Sequence, residues 1–317
     1  MGWTPGRTVG WRKIGQVDSL SSHLYSGRMS EQRFSDYSLA VVLMLSGIFC
    51  FALMDAGAKY LTGSIGVLMA LWARYAGQTF IVITLVSRRK GVWRARHPYL
   101  QIVRSVLLLS ATGFFFSAIH ALGIPTATAL MEVNPVLITL GGALFLKELL
   151  GPQRFIGIAI SLVGALIIIR PGFQEFKIGM LYPIAAAICY AGYSLVTRFV
   201  GQNEDVWTSL LYTGLVGGVL TTLALPFFWV TPTPTEIAVM IAIACIGTTG
   251  QLFIIRSLSN AEAGAVAPFA YAGLIYATFL SIVIYGEYPD NWTIVGSIVI
   301  ALAGIYVWHR ENKAKQN

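Results

Sequence analysis

The strongest constraint on this chain is a succession of apolar runs, each about as long as a bilayer is thick. A hydrocarbon core of about 30 Å needs roughly 20 apolar residues per helix, because each residue advances an α-helix about 1.5 Å. Runs of that kind predict helices over 38–60, 65–86, 101–121, 125–146, 154–170, 178–200, 206–229, 235–256, 262–285 and 290–308. Lipid offers no hydrogen bonds to the backbone, so such segments must satisfy their own amides. The expected fold class is therefore an all-α polytopic membrane protein of about ten transmembrane helices. The connectors are short, which makes neighbours antiparallel hairpins.

Composition enters here as a test. Of 317 residues, 56% are hydrophobic and 11% are charged, whereas a soluble domain carries about 25% charged residues to hydrate its surface. The formal charge of +8 does not point to nucleic acid, because the basic residues lie in tails and connectors. There they read as membrane-orienting charge. Cys50, Cys189 and Cys245 fall in apolar runs with no spacing that would predict disulfides or a metal site.

Lys and Arg also set an orientation. The first 37 residues hold Arg7, Arg12, Lys13, Arg28 and Arg33; the loop after the second run holds Arg88, Arg89, Lys90, Arg94 and Arg96; the tail after residue 308 holds Arg310, Lys313 and Lys315. With ten spans these segments share one side, which the positive-inside rule makes cytoplasmic for both termini. Residues 1–37 are a polar cytoplasmic tail. The stretch "MSEQRFSDYS" from Met29 reads as a second start, which would make residues 1–28 no part of the native protein; native protein beginning at Met1 on N-terminal sequencing would reject that expectation.

The chain also resembles itself. "LFLKELLGPQRFIGIAISLVGALIII" (Leu144–Ile169) matches "IVIYGEYPDNWTIVGSIVIALAGIYV" (Ile282–Val307), with Glu148 on Glu287 and Gly157 on Gly296. Each copy closes a set of five helices, 38–170 and 178–308. Five is odd, so the sets insert in opposite senses. That is the inverted repeat of secondary transporters, whose sites lie near the midplane between halves.

Polar groups inside the apolar runs are the candidates for that site. Asp55, Lys59, Arg74 and Glu132 stand within or at the ends of spans, where a charge costs about 2.5–3.5 kcal/mol and asks for a partner or a role. Lys59 can snorkel at a span end, and an internal ion pair between Arg74 and Asp55 is one reading of the rest. The stretch "TALMEVNPVLITL" sets Glu132 and Asn134 beside Pro135. A proline leaves the carbonyl four residues back without its helical partner. Such a polar notch is tolerated only against protein or water. Glu132 then binds a cationic group of a solute, carries a proton, or neutralises an internal cation. Tyr190, Tyr193 and Tyr271 bring hydroxyls to similar depth. Pro268 opens a second interruption in the ninth run, offset from the first because Pro135 aligns with Leu274; paired interruptions point to a transport site.

The segments "FALMDAGAKYL", "LWARYAG", "ATALMEVNPVLITLGGALFLKELLGPQRFIGIAISLVGALIIIRPG" and "AEAGAVAPFAYAGLIYATFLSIVIYGEYPDNWTIVGSIVIALAGIYVWHRE" resemble the EamA-type transporters of the drug/metabolite transporter superfamily over residues 38–310. The resemblance implies ten helices in two inverted repeats, with the fifth and tenth as scaffold. It implies a multi-pass protein of the bacterial inner membrane. Lys59 and Arg74 match the family's usual basic positions and Glu148 its usual acid after the fourth span, which the resemblance makes structural or gating groups. Glu287 and Pro268 are placed with them, whereas Glu132 departs from the usual apolar or aromatic residue. The activity implied is secondary active or facilitative transport of a small organic metabolite. An amino acid or related amine is favoured, and riboflavin or S-adenosylmethionine is the alternative cargo. No cofactor is expected; a coupling proton and a homodimer remain open. A polytopic membrane enzyme is the competing class, but His23, His97, His120 and His309 are scattered and no HExxH or P-loop occurs.

Overall fold

In the computed structural model, residues 15–87, 92–134, 137–138, 140–141, 152–169, 178–200, 204–260, 269 and 271–316 are described. These hold ten α-helices and no strand: α1 (Gly15–Ser64), α2 (Val67–Val86), α3 (Pro98–Leu122), α4 (Ile124–Met131), α5 (Pro152–Ile169), α6 (Leu181–Val200), α7 (Val206–Ala224), α8 (Pro234–Asn260), α9 (Ala272–Tyr285) and α10 (Asn291–Gln316). Among the described residues, six segments are long and apolar enough to cross a bilayer: Ser38–Ser64, Val67–Val86, Pro98–Leu122, Ile178–Thr197, Val206–Phe227 and Pro234–Ser257. Shorter apolar helices cover Ala159–Ile169, Ala272–Tyr285 and Asn291–Tyr306. The molecule is a multi-pass membrane protein.

Several boundaries differ from expectation; α10, for one, runs to Gln316, past the expected end at 308. The tail does not end where the first span begins: α1 runs unbroken for 50 residues from Gly15. No proline interrupts that stretch, so the backbone continues from polar into apolar sequence. The fourth helix, expected over 125–146, is interrupted after Met131, and Asn134 and residues 137–138 and 140–141 are helical again. Glu132 and Val133 form a turn instead, with Glu132 N donating to Thr128 O at 3.1 Å and Val133 N to Leu130 O at 3.4 Å.

Local chemistry explains where the other helices start and stop. Thr233 and Glu236 make a capping box at the head of α8: Thr233 N donates to Glu236 Oε2 at 2.6 Å and Glu236 N to Thr233 Oγ1 at 3.4 Å. Asp290 accepts from Thr293 N at 2.8 Å to begin α10. Gly66 and Gly123 adopt φ of 87° and 81°, a conformation open to glycine at little steric cost. They allow the abrupt turns from α1 into α2 and from α3 into α4.

Helix packing is reciprocal. α1 lies along α8 and α3 along α6, α2 crosses α7, α5 packs on α10, and α4 touches α9. Small residues bring the backbones together, as expected where lipid supplies no hydrophobic drive between helices. Gly164 and Gly296 face each other across α5 and α10; a Cβ on Gly296 would sit 2.7 Å from Gly164 O. Gly304 does not serve this contact, because the Tyr271 hydroxyl occupies the space its Cβ would take. Large side chains such as Phe80, Leu223, Ile275 and Val283 stay exposed on the outside, where hydrocarbon is their natural solvent.

Gly217 on α7 touches the face of Tyr75, and an added Cβ would fall 2.6 Å from Tyr75 Cγ. A rigid ring cannot yield, so Gly217→Ala is expected to destabilise the protein by about 1–3 kcal/mol. Gly63→Ala, with no atom within 4 Å of its added Cβ, serves as the neutral control. Thermal unfolding in detergent measures both; equal melting temperatures would show that α2 and α7 are not packed this closely.

Candidate functional site

The polar residues predicted from sequence fall into two places. Asp55, Arg74, Tyr190, Tyr193, Glu132 and Tyr271 meet in a buried seam between α1, α2, α4, α6 and α9. Lys59 and Glu287 lie apart, at one end of the bundle. Pro135, Glu148 and Pro268 lie outside the described residues.

Neighbours run along the seam in an order that alternates charge and ring. Asp55 lies within Coulombic range of Arg74. The Arg74 guanidinium stands 5.8 Å from the ring centre of Phe51 and 5.4 Å from that of Tyr75, a separation suited to cation–π attraction. Arg74 is 8% exposed. Among the described residues no carboxylate comes within 4.0 Å of it, so the contact ion pair with Asp55 is not formed; Lys59–Glu287 is the one such pair. Tyr190 lies within Coulombic range of Arg74, Tyr193 and Glu132, and its ring centre is 5.4 Å from that of Tyr193. Glu132 in turn neighbours Tyr271. The α4 turn directs the half-buried Glu132 towards Gly273 on α9, where an added Cβ would lie 3.9 Å from Glu132 Oε1.

The hydroxyl of the fully buried Tyr75 sits 2.8 Å from Thr112 Oγ1 and donates to Leu108 O at 3.2 Å. Arg104, one turn before Leu108, is 2% exposed. Its Nη1 donates to Gln101 Oε1 at 3.0 Å and its Nη2 to Thr213 Oγ1 at 3.2 Å. Its guanidinium lies 5.2 Å from the Tyr193 ring centre. This residue escaped the count of charges within spans, which stopped at four. The available signal was an arginine three positions into the apolar run 101–121, directly after "QIV".

Lys59 does not snorkel into the surrounding medium. It forms an ion pair with Glu287, joining the end of α1 to the residue after the α9 cap. The Tyr285 ring lies 4.6 Å from the ammonium, Tyr285 Oη donates to Ala56 O at 2.5 Å, and Ser281 Oγ donates to Glu287 Oε2 at 3.3 Å. Gly123 sits over this pair; a Cβ there would be 3.1 Å from Glu287 Oε2. The cluster therefore clasps α1, α9 and the α3–α4 turn at one end of the seam. At the opposite end Glu204 accepts from the backbone N–H groups of Arg96 and His97, at 2.5 and 3.2 Å, and ties the basic loop to the start of α7.

Two surface depressions exist elsewhere. One lies between α2 and α7 around Thr79 and Gly218, and one lies beside the clasp around Thr62, His120 and Trp229. Neither is lined by Asp55, Arg74 or Glu132. Among the described residues no three His, Cys, Asp or Glu converge to hold a metal.

A helical membrane protein with opposite charges buried between its helices has the form of a solute carrier. The chain belongs to the EamA-like transporter family, whose profile matches residues 38–170 and again 177–308; the resemblance read from sequence is thereby shown. It is 24% identical over 279 residues to an S-adenosylmethionine uptake transporter of Rickettsia bellii, covering 88% of this chain and 96% of that protein. A riboflavin transporter of Rhizobium johnstonii is 26% identical (87% and 93% covered), and a pseudopaline exporter of Pseudomonas aeruginosa is 27% identical (84% and 94% covered). A solved crystal structure shares the fold over 85% of this chain and 96% of its own, at a TM-score of 0.63 and 20% identity.

The Lys59–Glu287 clasp is measurable directly. Glu287 keeps 43% of its side chain exposed, so solvent screening limits the coupling to about 0.5–1 kcal/mol. A double-mutant cycle on Lys59→Met and Glu287→Gln, followed by thermal unfolding, is expected to return that value. The exchanged pair Lys59→Glu with Glu287→Lys should recover most of it. Zero coupling would mean the two side chains do not meet.

Proposed function

We propose that the protein is a secondary active or facilitative transporter that carries a small organic metabolite across the bacterial inner membrane by alternating access. Its two five-helix halves, 38–170 and 178–308, are inverted relative to each other, both termini are cytoplasmic, and the chain performs no chemistry on its cargo. The observation that carries this reading is the exchange symmetry of the packing. Adding five to each helix number turns α1–α8 into α6–α3 and returns α2–α7, α4–α9 and α5–α10 to themselves, and all of these pairs are in contact. The twofold match of the family profile supports the same division. A rocking of one half against the other opens the seam to either side in turn.

Within that mechanism Lys59 and Glu287 form the closure at one end, and Glu148 is the repeat-related counterpart of Glu287 in sequence. Glu132 is the residue that meets the cationic part of the cargo or carries a coupling proton. Arg74 and Asp55 balance each other across the seam, and Tyr190, Tyr193 and Tyr271 line it. Asn134, Pro135 and Pro268 mark the two interrupted segments. The named relatives include both uptake and export proteins. Of their cargoes, S-adenosylmethionine carries both positive and negative groups, which suits a seam with both acids and bases.

Proteoliposomes holding the purified protein test the reading with labelled S-adenosylmethionine, labelled riboflavin and a panel of labelled amino acids. At least one is expected to be taken up unmodified, and Glu132→Gln should lower its uptake about tenfold or more, the scale of a lost charge-assisted contact, with protein yield unchanged. Conversion of the solute to a product would replace transport by enzymatic activity. An unaltered rate and pH dependence in Glu132→Gln would remove Glu132 from the mechanism.

A further inference from the structure

Among the described residues, four buried side-chain atoms have no hydrogen-bond partner in the protein: Arg74 Nε, Arg104 Nε, Asn134 Oδ1 and Gln251 Oε1. Buried polar atoms are nearly always paired, so each exception asks for a cause. Two of these are donors on cations and two are acceptors on amides. An N–H on a cation is answered most strongly by an anionic acceptor.

Arg104 is the sharper of the two cations. Arg74 has Asp55 in Coulombic range, whereas among the described residues no carboxylate comes within 4.0 Å of Arg104. Its protein partners are the neutral oxygens of Gln101 and Thr213 and the face of Tyr193. A guanidinium carries five N–H donors in a planar fork. Two are used here, which leaves Nε–H and one hydrogen on each terminal nitrogen. The edge formed by Nε and a terminal nitrogen is the one that grips a carboxylate with two parallel bonds.

Glu132 is the complementary group. Its carboxylate has Tyr190 and Tyr271 as electrostatic neighbours, and among the described residues no basic group lies within 4.0 Å. Tyr190 and Tyr193 stand one turn apart on α6 with their ring centres 5.4 Å apart. Tyr190 neighbours Glu132 and Tyr193 lies against Arg104. The α6 tyrosines thus bridge a seam that is negative where α4 ends and positive on α3.

We infer that Arg104 anchors a carboxylate of the transported solute while Glu132 receives its cationic end. The inference rests on the transporter reading above and narrows it. The site selects solutes that carry an amino- or sulfonium-type cation together with a carboxylate, and it discriminates against the same molecules without the carboxylate. Arg104 is thereby a specificity residue, distinct from one that only staples α3 to α7.

Matched pairs that differ only by the carboxylate separate these roles. S-adenosylmethionine is compared with its decarboxylated form, and methionine with 3-(methylthio)propylamine. Binding to the purified full-length protein is read by ligand-induced thermal stabilisation for the wild type, Arg104→Gln and Arg104→Lys. In at least one pair the wild type is expected to hold the carboxylated member about tenfold or more tightly, the scale of a charge-assisted contact. That preference should shrink to about twofold or less in Arg104→Gln and be kept in part by Arg104→Lys. A purely structural arginine would weaken both members alike and leave their ratio intact, which overturns the proposal. Equal binding of both members, or no binding of either, by the wild type in every pair overturns it too; uptake of riboflavin or another uncharged solute by proteoliposomes would then leave the transporter reading standing. Should Arg104→Gln not fold, the ratio in Arg104→Lys decides, because an unchanged ratio there means the guanidinium fork does not select the carboxylate.

Discussion

Hydrocarbon offers no hydrogen bonds, and every other property of this structure follows from that deficit. Main-chain amides must be satisfied within each crossing, which leaves helices as the building element. Side-chain polar groups must turn inward, because facing lipid costs more than facing a neighbour. Asp55, Arg74, Arg104 and Glu132 accordingly collect in one seam, with tyrosines between them, while Phe80, Leu223 and Ile275 remain outside. Segregation of this kind is the inverse of a soluble protein, and the proposed transport mechanism places the solute in this seam.

A seam that binds must still open. Helix contacts made by glycine and other small residues allow close approach without interlocking long side chains, as between Gly164 and Gly296. The ends are held differently. Lys59 and Glu287 form a partly exposed ion pair, an interaction of about 1 kcal/mol or less that thermal energy can break. Strong packing along the scaffold pair α5 and α10 with weak closure at the end of α1 and α9 is an economical division for a protein that must exchange two conformations.

The sites of interruption carry the chemistry. α4 stops at Met131 and turns at Glu132, so the carboxylate of Glu132 and the unpaired amide oxygen of Asn134 lie together at a break in the helix. Tyr271, at the head of α9, lies next to that carboxylate. Its hydroxyl fits against Gly304 of α10. Site and scaffold are therefore joined through a single aromatic ring.

Much of this was legible in the chain alone. Apolar runs of bilayer length fixed the class, the helix order and most boundaries, because hydropathy and length act locally along the sequence. The family could be read from the same segments. Glu132 and Pro135 announced a break, since a proline and a buried charge are conspicuous in an apolar run. Pairing was not legible. Nothing local joins Lys59 to Glu287 across 228 positions, or keeps Arg74 and Asp55 out of direct contact. The burial of Arg104 was hidden by its nearness to a basic loop, and only the approach of Tyr193 and Thr213 from the second half turned it from a membrane-edge charge into an interior cation. Sequence determined that the protein crosses a bilayer and carries solutes by descent. Tertiary structure decided which charges meet, because in a low-dielectric interior that depends on separations of a few ångströms between helices far apart in the chain.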